Sequence, residues 1–427
     1  MKIPASAVVV VAVMLVSGSI RAATMGTVEA TYNFHSNALL DDPDRPYMYA
    51  TTGPELEVIN TNTLAIAGTV NLPGTGYGMS LSADDSTLYI AGQGGVYLVN
   101  PANLTLTGSL NLGYTATQVE AGPQNRLYVL SSSKLAQVDA TTGASTGPNL
   151  PVSVYGGGIQ ASPDGTTLYY ANYGLSPGTL YKINVSTTTP TVVWQSTTDI
   201  AENGEDLVLS PDGSMISYVS GGGYLGQQII PNFLTGNMSL LGTFNTGAYP
   251  DALAFSPDGS LAYALHTPYP TAVTVYSTAT YDLVGQFNVA DASSQIATDQ
   301  SGRDLFVSLD GAYHSDTNTT VYATGVPEPS TFVLLGIGTI GLAGWVWRRN
   351  VLPWRRKPIS PNLLVETVFL SVAAIGRPCL ISVLVQISGR KTTKTVSAEA
   401  GQQMIPFCSN QSPAAVNTAS ACPLERR

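Results

Sequence analysis

The sequence predicts an all-β protein built as a seven-bladed β-propeller, and three observations support this prediction. A turn motif recurs along residues 40–325, most clearly as Ser-Pro-Asp-Gly at 162–165, 210–213 and 256–259. Each copy is followed by β-branched and aromatic residues, and one repeat has room for about four short strands. The first 350 residues contain no cysteine, so the body must hold together by its core rather than by disulfides.

The recurrent turn sets the period of the repeat. Proline fixes φ at the second position, aspartate caps neighbouring backbone groups, and glycine takes the left-handed conformation that ends a hairpin loop. Seven copies predict seven blades, and their even period argues against the alternative, an open pair of β-sandwiches. The last turn residues are spaced by 40, 40, 40, 48, 46 and 43, and they are Arg45, Asp85, Asn125, Gly165, Gly213, Gly259 and Gly302.

Aromatic residues also recur at one point of the repeat, where we expect them to pack between adjacent blades. The N-terminal strand Thr27–Phe34 is expected to complete the last blade beside Val321–Gly325, which closes the ring and protects its strand edges. The recurrent aromatic residues are Tyr49, Tyr89, Tyr128, Tyr169, Tyr263 and Phe306.

Residues 1–22 have the three parts of a secretory signal peptide. Lys2 is basic, Ala7–Val16 is an apolar run, and Ala22 is a small residue at the expected cleavage point. An N-terminal transmembrane helix is the alternative, but the apolar run is too short for it. We therefore expect export of the chain and cleavage by a signal peptidase.

Charge divides the chain into an acidic body and a basic tail. Residues 23–347 carry 5 basic and 25 acidic side chains, a net charge of −20, whereas residues 348–427 carry 11 and 3, a net charge of +8. A body this acidic cannot bind nucleic acid by neutralising phosphates, so no nucleic-acid partner is expected.

The turns allow one comparison with known proteins. With Ser-Pro-Asp-Gly turns followed by Leu-Tyr-Val/Ala strands, residues 40–325 resemble the YVTN-type and lactonase-like β-propeller repeat proteins. The resemblance implies the propeller fold and says little about chemistry, because propellers carry many unrelated functions.

The body shows no pattern of a catalytic or zinc site. Its histidines are isolated in sequence, and neither a Gly-x-Ser-x-Gly motif nor a zinc-ligand spacing occurs. The best candidates are carboxylates just before innermost strands, where propellers bind ligands: Glu120, Glu205, Asp206 and Asp251. They could form an acid–base pair or a Ca²⁺ site, but we favour the simpler interpretation that they cap loops and turns. No other cofactor is expected.

An apolar run follows the body. Thr331–Trp347 is an uncharged run of 17 residues, which as a helix would span about 25 Å and cross a membrane once. Tryptophans at its end and the arginines behind it predict that this end lies in the cytoplasm.

Residues 326–350 resemble the PEP-CTERM sorting signal of Gram-negative bacteria. The matching parts are Pro327, Glu328 and Pro329, the apolar residues Phe332–Trp347, and Arg348 with Arg349. The resemblance implies an exosortase as processing partner and an inner-membrane anchor before processing. It also implies a final place at the cell surface or in the extracellular matrix of a biofilm, with extracellular polysaccharide as a candidate partner.

The tail at 351–427 departs from such signals, which end soon after the arginines. It is basic, holds Cys379, Cys408 and Cys422, and is predicted to be partly disordered. It could be a second membrane segment, a cytoplasmic extension or non-native sequence, and we favour the last. For the whole chain we predict a surface-displayed binding protein without enzymatic activity. The alternatives are a surface-targeted lactonase-like hydrolase and a plain single-pass membrane protein.

Overall fold

Antiparallel hairpins around the recurrent turns build the body, and each hairpin continues into a short meander of strands. The computed structural model describes residues 23–196, 203–221, 229–247, 249–266, 271–289, 293–310, 317–325, 385–387 and 394–396. Over these residues the chain forms strands and turns without any helix, which confirms the all-β prediction.

The strands of the body form six antiparallel sheets within the described residues. The strands follow one another in this order: β1 (Val28–Tyr32), β2 (Ala38–Asp41), β3 (Tyr47–Thr51), β4 (Gly53–Asn60), β5 (Ala65–Leu81), β6 (Leu88–Gly92), β7 (Gly95–Asn100), β8 (Thr105–Asn111), β9 (Gln118–Gly122), β10 (Arg126–Leu130), β11 (Leu135–Asp139), β12 (Gly158–Ala161), β13 (Thr167–Ala171), β14 (Leu180–Asn184), β15 (Thr191–Gln195), β16 (Gly204–Leu209), β17 (Met215–Ser220), β18 (Ile230–Leu234), β19 (Leu240–Phe244), β20 (Pro250–Phe255), β21 (Leu261–His266), β22 (Ala272–Ser277), β23 (Leu283–Asn288), β24 (Ser293–Thr298), β25 (Asp304–Asp310) and β26 (Thr317–Ala323).

Three of the sheets are simple four-stranded meanders, β12–β15, β16–β19 and β20–β23. The long strand β5 joins two repeats into one seven-stranded sheet, because its first half pairs with β4 and its second half with β6. The sheet of β9–β11 has three strands, and beyond β11 only Ser145 bridges to Val138.

The N-terminal strand closes the sheet of β24–β26, as the sequence predicted. β1 pairs antiparallel with β26, with Val28 opposite Tyr322 and Tyr32 opposite Thr319. The innermost strands β2, β5, β9, β12, β16, β20 and β24 contact one another in that order, and β24 contacts β2. The strands therefore surround a common axis.

The recurrent turn is held by its own side chains. In the turn before β17, the Ser210 hydroxyl donates to Asp212 Oδ1 at 2.7 Å, and the Ser214 amide donates to the same oxygen at 3.0 Å. The Met215 amide donates to Ser210 Oγ at 2.9 Å. The bonds from Ser210 and Ser214 lower the pKa of Asp212. Ser82, Ser162 and Ser256 begin equivalent networks with Asp84, Asp164 and Asp258.

Consecutive turns also touch one another. Gly213 has a φ of 70°, and a Cβ at this position would lie 2.7 Å from the ring of Pro163 in the preceding turn. The same arrangement of a glycine and a proline from the preceding turn recurs in three other places: Gly165 with Pro123, Gly259 with Pro211, and Gly302 with Pro257. Because every one of these turns follows an innermost strand, they share one side of the body. We call this side the turn face, and the side where the innermost strands begin, at Gly204 and Pro250, the mouth face.

The core lies between neighbouring sheets. Tyr128 of β10 packs with Ile159 and Leu168 of the next sheet, and Tyr263 of β21 packs with Leu305 of β25. All six recurrent aromatic residues are buried, and each shares a cluster with the following repeat, which confirms the predicted packing.

A buried arginine links the β9–β11 sheet to the next sheet. Arg126 is 3% exposed and donates to the carbonyl oxygens of Thr187 at 2.7 Å and Val185 at 3.0 Å, both in the next sheet. Gln137 of β11 donates to the Thr188 carbonyl at 2.8 Å. Side chains of β10 and β11 thus bond the next sheet, while the amides of Thr146 and Leu150 donate to β11 itself.

The chain divides into two units, Met1–Ala343 and Gly344–Arg427. In the second unit β27 (Val385–Ile387) pairs antiparallel with β28 (Lys394–Val396). The predicted signal peptide at 1–22 and the apolar run at 331–347 lie outside the described residues. Within the described ranges, no helix has the length and apolar character that crossing a membrane requires.

Candidate functional site

The four candidate carboxylates lie on innermost strands, and three of them lie on neighbouring strands. Glu205 and Asp206 are on β16 and Asp251 is on the adjacent β20, whereas Glu120 is on β9, with β12 in between. All four lie within the strands rather than just ahead of them. The structure therefore places three of the carboxylates on neighbouring strands and leaves Glu120 apart.

Asp206 links two innermost strands. Its Oδ2 accepts the amide of Leu253 on β20 at 3.2 Å, and its Oδ1 accepts the amide of Leu207 at 2.8 Å. Gln118 on β9 does the same without a charge, because its Oε1 accepts the Ile159 amide at 2.8 Å. Burial raises the pKa of Asp206 to about 6, against the opposing effect of the two amides. Both amides belong to strands rather than to loops or turns, so the bonds of Asp206 differ from the capping role favoured from the sequence.

Glu120 is half-buried and has a polar neighbour on β5. The Ser80 hydroxyl donates to Glu120 Oε2 at 3.3 Å and accepts the Ala121 amide at 3.1 Å. Burial raises the pKa of Glu120 to about 8. At neutral pH this side chain is mainly a neutral acid, which can donate a proton but cannot act as a nucleophile.

Glu205 and Asp251 lie at β-bulges, where the register of each innermost strand shifts by one residue. A bulge re-aims the side chain of the extra residue, and bulges are common next to binding sites. Glu205 is exposed, and its Oε1 accepts a bond from Asn203 Nδ2 at 2.7 Å. Surrounding protein and the charge of Asp206 raise the pKa of Glu205 to about 7. Glu205 is thus the accessible carboxylate of the group that titrates near neutral pH.

Tyr173 also belongs to this region, although the sequence did not single it out. Its ring stacks on Tyr218 with centroids 6.2 Å apart, and its buried hydroxyl has no hydrogen-bond partner among the described residues. Burial, and then the charges of Asp206 and Glu205, raise the pKa of Tyr173 well above its ordinary value. Tyr173 follows β13 and lies outside the recurrent pattern of aromatic residues, so periodicity could not reveal it.

The histidines do not form a catalytic arrangement. His35 Nδ1 lies 3.0 Å from Ser308 Oγ, but Ser308 is fully buried and donates its hydroxyl to the Ser36 carbonyl. Burial lowers the pKa of His266, and His314 lies outside the described residues. In the described part of the chain, no three His, Cys, Asp or Glu side chains come together as metal ligands, so the Ca²⁺ suggestion gains no support.

Comparison with known proteins gives one match to a family model. The PEP-CTERM protein-sorting motif matches residues 325–350, which include Pro327, Glu328, Pro329, Arg348 and Arg349. These five residues lie outside the described residues, so their individual roles stay predictions. No curated protein sequence matches the chain.

Many solved structures resemble the body. The β-propeller domain of Cps50 (Swd1) from Myceliophteria thermophila is 15% identical with a TM-score of 0.59, and the match covers 70% of this chain and 99% of that domain. Hydrazine synthase from Kuenenia stuttgartiensis is 16% identical with a TM-score of 0.56, covering 71% and 100%. A chain of a mitotic checkpoint complex is 13% identical with a TM-score of 0.57, covering 70% and 96%. At these identities the likeness shows a propeller-like fold alone.

Proposed function

We propose that this chain, which carries a PEP-CTERM protein-sorting motif behind a β-propeller-like body, is an exported exosortase substrate with a binding role at the cell surface. PEP-CTERM motifs mark exosortase substrates for export to the surface. The position of the motif carries the proposal, since it starts at residue 325, directly behind the last strand, β26. In this route a signal peptidase cuts after Ala22, and residues 331–347 hold the precursor in the inner membrane until processing.

The body is proposed to be a seven-bladed propeller closed by its N-terminal strand. Seven turn copies in the sequence support this number, as do the consecutive contacts of β2, β5, β9, β12, β16, β20 and β24. The more specific likeness to YVTN-type or lactonase-like proteins is part of the same proposal and rests on the turns alone.

A mutation of the motif tests the sorting proposal. Replacing Pro327, Glu328 and Pro329 together by alanine should leave the protein unprocessed in the membrane fraction, whereas Ser330→Ala should be processed normally. Intact mass of the protein from its native cell gives both cleavage sites and shows whether residues 351–427 are present. Unchanged processing and location of the triple variant would instead favour a plain single-pass membrane protein.

The proposed ligand of the mouth face is extracellular polysaccharide. Two tyrosines ahead of innermost strands present aromatic surface there, with Tyr155 55% and Tyr249 40% exposed. Exposed rings beside carboxylates such as Glu205 are suited to sugars, which offer apolar C–H faces and hydroxyl donors.

Polysaccharide from the native cell should bind the purified protein, and Tyr155→Ala with Tyr249→Ala should weaken binding about tenfold, or about 1.4 kcal/mol. Val193→Ala, a change at a 54% exposed residue of the outer strand β15, is the matched control. If the tyrosine variants bind the polysaccharide as tightly as Val193→Ala does, the mouth face is not the binding site.

The raised pKa of Glu205 favours a second candidate, a lactonase-like hydrolase with Glu205 as general base. A base with a pKa near 7 suits proton transfer at neutral pH. Purified protein that hydrolyses lactones, and loses this activity in Glu205→Gln but not in Glu55→Gln, would establish the enzyme. Absence of turnover over a panel of lactones would leave the binding role as the better proposal.

A further inference from the structure

The chain leaves the body on the turn face. β26 ends at Ala323, opposite Asp304 at the start of β25. The next residue, Thr324, donates its hydroxyl to the Gly302 carbonyl at 2.6 Å and its amide to the Arg303 carbonyl at 2.9 Å. Thr324 is therefore fixed to the turn between β24 and β25, one residue before the sorting motif begins.

Equivalent threonines in two other sheets show what is special about this exit. Thr235 and Thr278 donate their hydroxyls to the turn carbonyls of Gly213 at 2.8 Å and Gly259 at 2.6 Å. After each of them the chain turns into a fourth strand, β19 or β23. After Thr324 the position of the fourth strand is occupied by β1, so the chain does not form another strand there. It continues directly into the sorting motif. No linker separates the folded body from the motif.

The N-terminal end of the mature body lies at the same corner. The Gly26 amide donates to the Ala323 carbonyl at 2.8 Å, and a Cβ on Gly325 would lie 3.2 Å from Cβ of Met25. The predicted signal peptide ends at Ala22, only three residues before Met25. Both segments that are expected to enter the membrane thus leave the body at one point.

The connection to the membrane is short compared with the body. Between Gly325 and Thr331, where the predicted membrane segment begins, a fully extended chain reaches about 20 Å. A folded domain of roughly 300 residues is about 50 Å across. A body held this closely cannot turn over to bring its opposite side to the lipid surface.

We propose that in the membrane-bound precursor the turn face next to Thr324 lies against the lipid surface, while the mouth face points away from it. This orientation rests on the proposed function, because it needs residues 331–347 in the membrane. The turn face carries carboxylates such as Asp164, Asp212 and Asp258 beside Arg45 and Arg303, so the orientation is argued from the short connection and not from electrostatic attraction to anionic lipid. Glu205 and Asp251 then face the surroundings before any processing occurs.

The body lacks cysteine, which makes a labelling test direct. In the full chain with its three tail cysteines changed to serine, a fluorophore is attached at Ala279→Cys or at Asn245→Cys. Both residues are exposed; Ala279 lies on the turn face, and Asn245, just after β19, lies on the mouth face. The protein is reconstituted in phosphatidylethanolamine and phosphatidylglycerol vesicles that carry a quencher on the lipid headgroup.

We expect several-fold stronger quenching at Ala279 than at Asn245. Insertion of about 20 Gly and Ser residues after Gly325 should remove the difference, because such a linker has a root-mean-square length of about 25 Å and lets the body rotate. Equal quenching at the two positions, or a difference that the linker does not change, overturns the orientation. Failure of the protein to float with the vesicles overturns the proposed membrane-bound precursor, and the orientation with it.

Discussion

The carboxyl group of Glu120 makes the stability of the body depend on pH. Its pKa is about 8 in the folded protein, against an ordinary value of 4.5, because burial disfavours the charged form. A raised pKa means that the folded state holds the proton more tightly than the unfolded state. The contribution is therefore fully present below about pH 4.5 and is lost as the pH rises through about 8.

Glu120→Gln removes the free-energy cost of ionising a buried carboxyl group. The amide oxygen of the glutamine can still accept the bond from Ser80. A shift of this size is worth at most about 5 kcal/mol, and screening at the half-buried side chain reduces the expected gain to about 2–4 kcal/mol at alkaline pH. That gain corresponds to a rise in Tm of about 4–10 °C at about pH 8.5, and to almost none at about pH 5.

Thermal unfolding of the wild type and of Glu120→Gln at both pH values measures the effect. Glu55→Gln makes the same charge change at an exposed position of β4 and should leave Tm unchanged. Asp41, whose pKa burial also raises to about 8, titrates in the same range, so the test is the difference between variants rather than the wild-type curve. A gain of equal size at both pH values would refute the reasoning, because titration could not then be its cause.

Three further predictions, made with five substitutions, test the packing. Arg126→Lys should cost about 2–3 kcal/mol in denaturant unfolding, because lysine lacks the fork that reaches several carbonyl groups; an unchanged midpoint would contradict this. Gly213→Ala should cost about 2–3 kcal/mol through its left-handed φ and the neighbouring proline, while Gly236→Ala, with open space around it, should stabilise by about 0.5 kcal/mol. Asp206→Asn should keep the bond to Leu253 and most of the stability of the folded body, and Asp206→Leu should lose about 2 kcal/mol. Equal losses in the two variants would show that the bond does not contribute to stability.

The turns could be predicted because their chemistry is local. Serine, aspartate and glycine within five residues form the whole network around Asp212, so the sequence alone indicates both the turn and the strands on either side of it. The ring closure by β1 was predictable for a related reason, since the last repeat lacked a fourth strand of its own. The buried aromatic residues followed from their periodicity.

What the sequence could not show depends on contacts between distant residues. Nothing local distinguishes β5, a single 17-residue strand, from two strands with a turn at Pro73, because both repeats favour extended backbone there. Arginine is expected at the surface, and the burial of Arg126 depends on carbonyl groups of Val185 and Thr187, which are distant in sequence. The carboxylates lie within the innermost strands rather than just before them. The link from Asp206 to Leu253 and the stacking of Tyr173 on Tyr218 depend on how neighbouring sheets meet.

The pairing of β1 with β26 fixes the order of events in the biogenesis of the protein. Val28 is synthesised near the start of the chain and its partner Tyr322 near the end of the body, so this contact spans almost the entire fold. Contacts between such distant residues are slow to form, because the loop-closure entropy must be overcome before they contribute. The ring can close only when β26 is available, and the sorting motif follows that strand immediately. Completion of the body and arrival of the sorting motif therefore belong to the same moment.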